Sequence, residues 1–316
     1  MNTSFLESPT FLIGAERSGT TLLRLMLSHH SQIAWCNEFE YVIDQVSDNA
    51  QFPKVSDYQD WLKTHRIFQA TGFEVSPNLT YGELVQSFLQ QKQAQEQKPV
   101  VGATVHRHFD RLLAIWPNAR FIHIVRDPRD VARSCIGMGW AGNVWTGSQR
   151  WLEAEQDWEA LKQTLPVNNY VEISYENLIR EPQTVLTQLA NFLGVAYDPA
   201  MLQYNQDTTY DQPDSSFLNQ WRRKLGDREI QLVESRVGDL LLQRGYEASG
   251  LPTIQLTSSQ IKSLKLQDWW ARANFRLQRY GAVLFTLNYI TSRLPLRAWR
   301  DRIQLKINQI DLEYIK

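Results

Sequence analysis

A short apolar strand, a glycine-bearing loop and a helix follow one another near the start of this chain, and that succession leaves few folds open. Phe11-Leu12-Ile13-Gly14 is apolar enough for a strand covered on both faces. Thr20 to Ser28 then offers Leu22, Leu23, Leu25, Met26 and Leu27 for burial along a helix. The loop between them reads Gly14-Ala15-Glu16-Arg17-Ser18-Gly19-Thr20-Thr21. Glycines give a tight turn room to expose backbone N–H groups, and the helix start adds its own unpaired N–H groups and positive end. With the guanidinium of Arg17 and the hydroxyls of Thr20 and Thr21 as further donors, the loop is a candidate anion site.

The same alternation continues downstream. Val100 to Val105 reads as a strand followed by a helical Asp110 to Trp116. Ala119 to Val125 reads as a strand followed by a helix from about Pro128 to Ile136. Asn169 to Ile173 precedes a helix over Pro182 to Leu193. The expected fold class is therefore α/β: a three-layer fold containing a phosphate-binding loop (P-loop), with a central, mainly parallel sheet flanked by helices and ligands beyond the carboxyl ends of the strands. Cys36 to Lys98 reads as mainly helical and loop, and Leu225 to Gly245 as one helical stripe stopped by Gly245. With 316 residues, 43% of them apolar, the chain has material for one large domain, expected over residues 1–250, and an extension over 251–316.

The spacing of Gly14 and Gly19 matches G-x-x-x-x-G-K-[ST], but Thr20 stands where that motif needs its lysine, and the cation comes earlier, as Arg17. This weakens a kinase or ATPase, which stays as an alternative function. A second anion motif is Arg126-Asp127-Pro128-Arg129-Asp130-Val131-Ala132-Arg133-Ser134. Asp127 suits a helix cap, Pro128 the first turn and Asp130 the return half of a capping box, which leaves Arg126 at the strand end and Ser134 two turns into the helix. Two anion sites on separate strand ends suit a nucleotide with well-separated anionic groups.

Arg17-Ser18-Gly19-Thr20-Thr21 and the Arg126 to Ser134 segment together resemble the PAPS-dependent sulfotransferase family, especially its bacterial, tyrosylprotein and carbohydrate members. The resemblance continues through Tyr175-Glu176-Asn177-Leu178 and Trp221-Arg222-Arg223-Lys224-Leu225 and covers residues 9–247. It implies transfer of a sulfuryl group from 3′-phosphoadenosine 5′-phosphosulfate (PAPS) to a hydroxyl or amine, leaving adenosine 3′,5′-bisphosphate (PAP), with no metal required. Arg17, Ser18, Gly19, Thr20 and Thr21 would hold the 5′-phosphosulfate, Arg126 and Ser134 the 3′-phosphate, and Arg222 and Lys224 would lie near the nucleotide. A nonenzymatic PAPS-binding protein is the other alternative.

For the base that deprotonates the acceptor, family members of the tyrosylprotein type point to Glu38, where Asn37 replaces their usual glycine. The cytosolic pattern Lys-Thr-His points instead to His106, with Ala103 at the lysine position. Glu40 and His108 stay open beside them. The acceptor itself, a small molecule, sugar or glycolipid, is not legible, and no nucleic-acid reader motif is present. Two cysteines and no leader-like opening lead to an expected cytoplasmic location. Residues 260–316 carry 11 Lys and Arg against 4 Asp and Glu in a chain of net charge −1, which makes the extension a candidate for peripheral membrane contact or self-association.

Overall fold

The computed structural model describes residues 7–294 and 297–314. Five strands, β1 (Thr10–Ile13), β2 (Ile33–Glu38), β3 (Val100–Val105), β4 (Arg120–Val125) and β5 (Tyr170–Ser174), form one sheet in the order β2-β3-β1-β4-β5. Every pairing is parallel. Ile13 lies opposite Val105 on one side and His123 on the other, so β1 and β3 end level and β4 runs two residues further.

Alternation along β1 divides the core. Leu12 faces a cluster with α1 (Thr20–Ser28), whereas Phe11 and Ile13 face one with α2 (Tyr81–Glu96). The first face is completed by α5 (Pro182–Leu193) through Leu186, Leu189 and Leu193. The second is completed by α4 (Val144–Lys162) through Trp158 and Leu161. Helix α3 (Pro128–Gly137) packs with α4 and α6 (Asp227–Val237) in a third cluster beside the loop residue Ala15. The chain ends in α7 (Ser258–Thr291), interrupted at Gly281, and α8 (Arg297–Tyr314).

Three local expectations need correction. Cys36 to Lys98 opens inside the edge strand β2, whose pattern is masked by the polar Asn37 and Glu38 at a bulge against β3. The Leu225 to Gly245 stripe is broken at Gly238, whose φ of 57° ends α6 before the short turn Leu240–Gln243. Asp127 does cap α3, accepting from the Arg129 N–H at 2.9 Å, but Asp130 does not close a capping box. Its carboxylate accepts instead from the backbone N–H groups of Trp221 (2.7 Å) and Gln220 (3.3 Å), tying that segment to α3.

Arg129 is only 2% exposed, yet fully partnered. Its guanidinium donates to both oxygens of Asp127 (2.9 and 2.7 Å) and to Glu234 on α6 (2.7 Å), and it stacks 3.6 Å from the Trp221 ring centre. A buried cation removed from one of its partners loses more than the pair itself is worth, because the charge stays desolvated. Asp127→Ala, which removes both the cap and this partner, is expected to lower unfolding free energy by about 3 kcal/mol in urea denaturation; a loss under about 1 kcal/mol would refute this assignment.

Candidate functional site

The first anion loop leaves β1 at Ile13 and enters α1 at Thr20. Arg17 takes a left-handed φ of 73° and Gly19 one of 94°, which turns the chain sharply enough to present α1 by its N-terminus. Glycine is also required at 19 by space, since a Cβ there would stand 2.3 Å from the ring of Tyr175. That ring, at the end of β5, in turn supports Arg126, whose guanidinium lies 4.3 Å from its centre.

The two anion motifs meet. Arg17 Nε donates to Ser134 Oγ at 2.9 Å, and Arg126 Nη1 donates to the carbonyl of Arg17 at 3.2 Å. Arg126 Nη2 reaches the carbonyl of Phe217 at 3.1 Å. Arg17, Gly19, Thr20, Thr21, Arg126 and Ser134 all line one cavity of about 470 Å³, together with Arg133, Tyr175, Phe217 and the carboxylates of Asp130, Asp211 and Asp214. Arg126 Nε, buried in this wall, has no protein partner; Ser18, whose hydroxyl is likewise unpartnered, is fully buried and does not line the cavity. A buried donor of this kind is costly unless a ligand or water satisfies it, so the cavity fits a ligand that accepts hydrogen bonds.

Beside this cavity runs a chain of buried polar groups. Thr20 Oγ1 lies 2.9 Å from His106 Nε2, and His106 Nδ1 lies 2.6 Å from Glu40 Oε1. The same carboxylate oxygen accepts from the His106 backbone N–H at 2.9 Å. Burial opposes charge on His106, but the charge and hydrogen bond of Glu40 outweigh it and hold the imidazole pKa above its ordinary value. Glu40 is held below the usual carboxylate range against its own burial, chiefly by His106.

The other candidates are dispersed. Glu38 is exposed and lines a second cavity of about 280 Å³ with Arg24, Arg66 and Lys92. His108, with φ of 52°, starts the turn Phe109–Ala114 and makes no side-chain cap. Ala103 packs in the core opposite Phe11 and Cys36 and does not line the cavity. Arg222 and Lys224 are exposed on the short helix Trp221–Lys224 and do not line the cavity; Arg133 and Gln220 do, joined by a 2.9 Å bond. Tyr175 and Arg133 are the site residues that motif reading missed as such. Tyr175 was visible only as part of a family string, and Arg133 only as the residue before Ser134. Among the described residues no group of three or more His, Cys, Asp or Glu is arranged to hold a metal ion.

A parallel α/β sheet with a glycine loop and an arginine-bearing cleft at its carboxyl ends is the class that fold and site define. Residues 9–199 match the model of the sulfotransferase family, and the chain belongs to that family. It is 25% identical over 219 residues to a putative protein-tyrosine sulfotransferase of Caenorhabditis briggsae, covering 64% of this chain and 71% of that one. It is also 25% identical to protein-tyrosine sulfotransferase A of Caenorhabditis elegans, over 62% of this chain and 52% of the relative. An uncharacterized protein of Aquifex aeolicus matches at 25% identity, and there the match spans 27% of the relative's length. Among solved structures, the sulfotransferase domain of the curacin biosynthetic pathway superposes with a TM-score of 0.56 at 21% identity, over 78% of this chain and all but 1% of that domain, which covers 99%. The sulfotransferase domain of the Synechococcus PCC 7002 olefin synthase gives 0.55 at 21% identity, over 78% and 96%. These two share the fold.

The geometry makes His106 testable without any substrate. By NMR titration, the His106 imidazole is expected to lose its proton above the ordinary histidine pKa of about 6.5, and Glu40→Gln to move that midpoint down, because burial is then opposed only by the charges of Glu16 and Glu38. An unmoved midpoint in Glu40→Gln would contradict the coupling.

Proposed function

We propose that the chain transfers the sulfuryl group of PAPS to a hydroxyl or amine, releasing PAP. The observation that carries this reading is the contact between the two motifs: Arg17 on Ser134 and Arg126 on the Arg17 carbonyl, in one cavity. Arg126 and Ser134 are assigned the 3′-phosphate, and Arg17, the loop N–H groups, Thr20 and Thr21 the 5′ end. When bound, PAPS supplies an electrophilic sulfur on a phosphate leaving group. Arg17 and the helix start place positive charge where that leaving group becomes negative.

His106 is assigned the proton. Its Nε2, now 2.9 Å from the hydroxyl of the cavity residue Thr20, is assigned to accept from the acceptor hydroxyl, with Glu40 on Nδ1 to fix the tautomer and stabilise the imidazolium that forms. A raised pKa makes it a stronger base but keeps it protonated to higher pH, so turnover should rise with pH through that value. Glu38 is the second reading for the base. It is close enough for its charge to raise the His106 pKa, and Arg24 is near enough to feel the same carboxylate. The acceptor hydroxyl is proposed to belong to a small molecule, sugar or glycolipid, and the names of the worm relatives add tyrosine phenols to that class.

Two measurements test this. In calorimetry, PAP should bind more tightly than adenosine 5′-phosphate, and Arg126→Ala should cost PAP about 1.5–3 kcal/mol while leaving the monophosphate nearly unchanged; equal affinity for both nucleotides would refute the 3′-phosphate assignment. With an acceptor found by screening for mass-resolved sulfate transfer, His106→Gln should lower kcat by about 10²–10⁴-fold. Glu40→Gln should shift the rising limb of the rate profile to lower pH. Near-normal turnover of His106→Gln with a large loss in Glu38→Gln would move the base to Glu38.

A further inference from the structure

Helix α7 presents two faces of different character. Its inner face seats on the turn that joins α3 to α4. Asp268 accepts from the Gly142 N–H (2.7 Å) and the Thr146 hydroxyl (2.8 Å), and the Leu264 carbonyl accepts from Asn143 Nδ2 at 2.8 Å. Gly142 permits this approach, since a Cβ there would stand 2.6 Å from the Asp268 Cα. About two turns of helix further on, Phe275 lies over Gly139.

The outer face is apolar and uncovered. Leu266, Trp269, Trp270 and Leu277, with Phe285 and Tyr289 from beyond the Gly281 break, line an open groove of about 1030 Å³ that contains no charged side chain. Trp269 and Trp270 are 54% and 61% exposed. Two adjacent tryptophans cost apolar surface in water, and an isolated soluble helix gains nothing by showing them. The groove's surroundings are cationic. From residue 258 to 294 the one acidic residue is Asp268, which is buried and paired with Arg272 at 2.9 Å, whereas Lys262, Lys265, Arg276 and Arg293 are exposed. Arg293 stacks 3.5 Å from the Tyr289 ring centre, which puts a cation on the rim of the groove itself.

We propose that this face of α7 docks on an anionic lipid surface. Tryptophan and tyrosine rings suit the boundary between acyl chains and headgroups, and a surrounding set of exposed Lys and Arg suits lipid phosphates. A symmetric contact with a second copy would bring the same positive surface against itself, which costs rather than gains. No described helix is long and apolar enough to cross a membrane, so the mode is docking on the surface. The turn that carries α7 also carries Trp140, whose ring lies 5.9 Å from the Arg17 guanidinium and 5.3 Å from that of Arg150. The docking face and the anion cavity therefore share one support, which favours an acceptor presented at the lipid surface. The lipid proposal itself does not depend on which reaction the cavity performs.

Flotation of the full chain with phosphatidylcholine vesicles, with and without phosphatidylglycerol, tests the proposal. Wild-type protein should float with the anionic vesicles at low salt and stay behind with the neutral ones. Trp269→Ser with Trp270→Ser should weaken partitioning by about tenfold or more, and Lys262→Gln with Lys265→Gln should weaken it and blunt its salt dependence. Both tryptophans are exposed, so the fold should survive; an unchanged thermal midpoint confirms that, and the lysine variant supplies an independent arm. PAP affinity, measured in parallel, should be the same in all forms. No flotation at low salt, or equal flotation of wild type and both variants, overturns the proposal. So does a wild-type dimer in sedimentation that the tryptophan variant splits without any vesicle binding, since the groove would then hold a second copy.

Discussion

The placement of β1 between β3 and β4 is the constraint on which the rest of the site depends. Because Ile13 pairs with Val105, the anion loop and His106 leave the sheet at the same level. Because β4 lies on the other side and continues past that level, Arg126 emerges next to the loop and can reach its backbone. Parallel strands require this arrangement to be closed by crossovers, and the crossing helices bring in what the strand ends lack: α1 its N-terminus, α3 Ser134. These groups come from three separate stretches of the chain, residues 14–21, 106 and 126–134.

Much of the charge around the site holds it in place without lining the cavity. Arg129, between Asp127 and Glu234, fixes the start of α3 to α6, and Asp130 fixes the Gln220–Trp221 segment to the same helix. Glu176 accepts from the Asp127 N–H at 3.1 Å and from the Tyr246 hydroxyl at 2.9 Å. The second motif is thus mostly scaffold. Of its charged residues, Arg126 and Arg133 face the cavity with Asp130 at its edge, while Asp127 and Arg129 are spent on holding them in place.

Much of this was legible because it was local. The strand and helix periods near Phe11, Val100, Phe121 and Pro182 set element positions to within a residue or two, since buried parallel strands and amphipathic helices write their burial into short windows. That the two motifs lie on adjacent strand ends was legible; that Arg17 would donate to Ser134 was not. Long-range partnerships were not legible. Nothing in the spelling of Asp130 shows that Trp221 will take its carboxylate in place of a capping box. Nothing near Glu40 shows that a bulge at Asn37–Glu38 will leave Glu38 exposed and direct Glu40 to His106, 66 residues away in sequence. Edge strand β2 was hidden by the same bulge.

The central claim is that the two motifs form one nucleotide site. A crystal structure with adenosine 3′,5′-bisphosphate tests it most directly. The account predicts the 3′-phosphate within hydrogen-bond distance of Arg126 and Ser134, and the 5′-phosphate against the loop N–H groups between Arg17 and Thr21. A nucleotide lying elsewhere, or one touching the loop while Arg126 keeps its bonds to Arg17 and Phe217 unchanged, would contradict it.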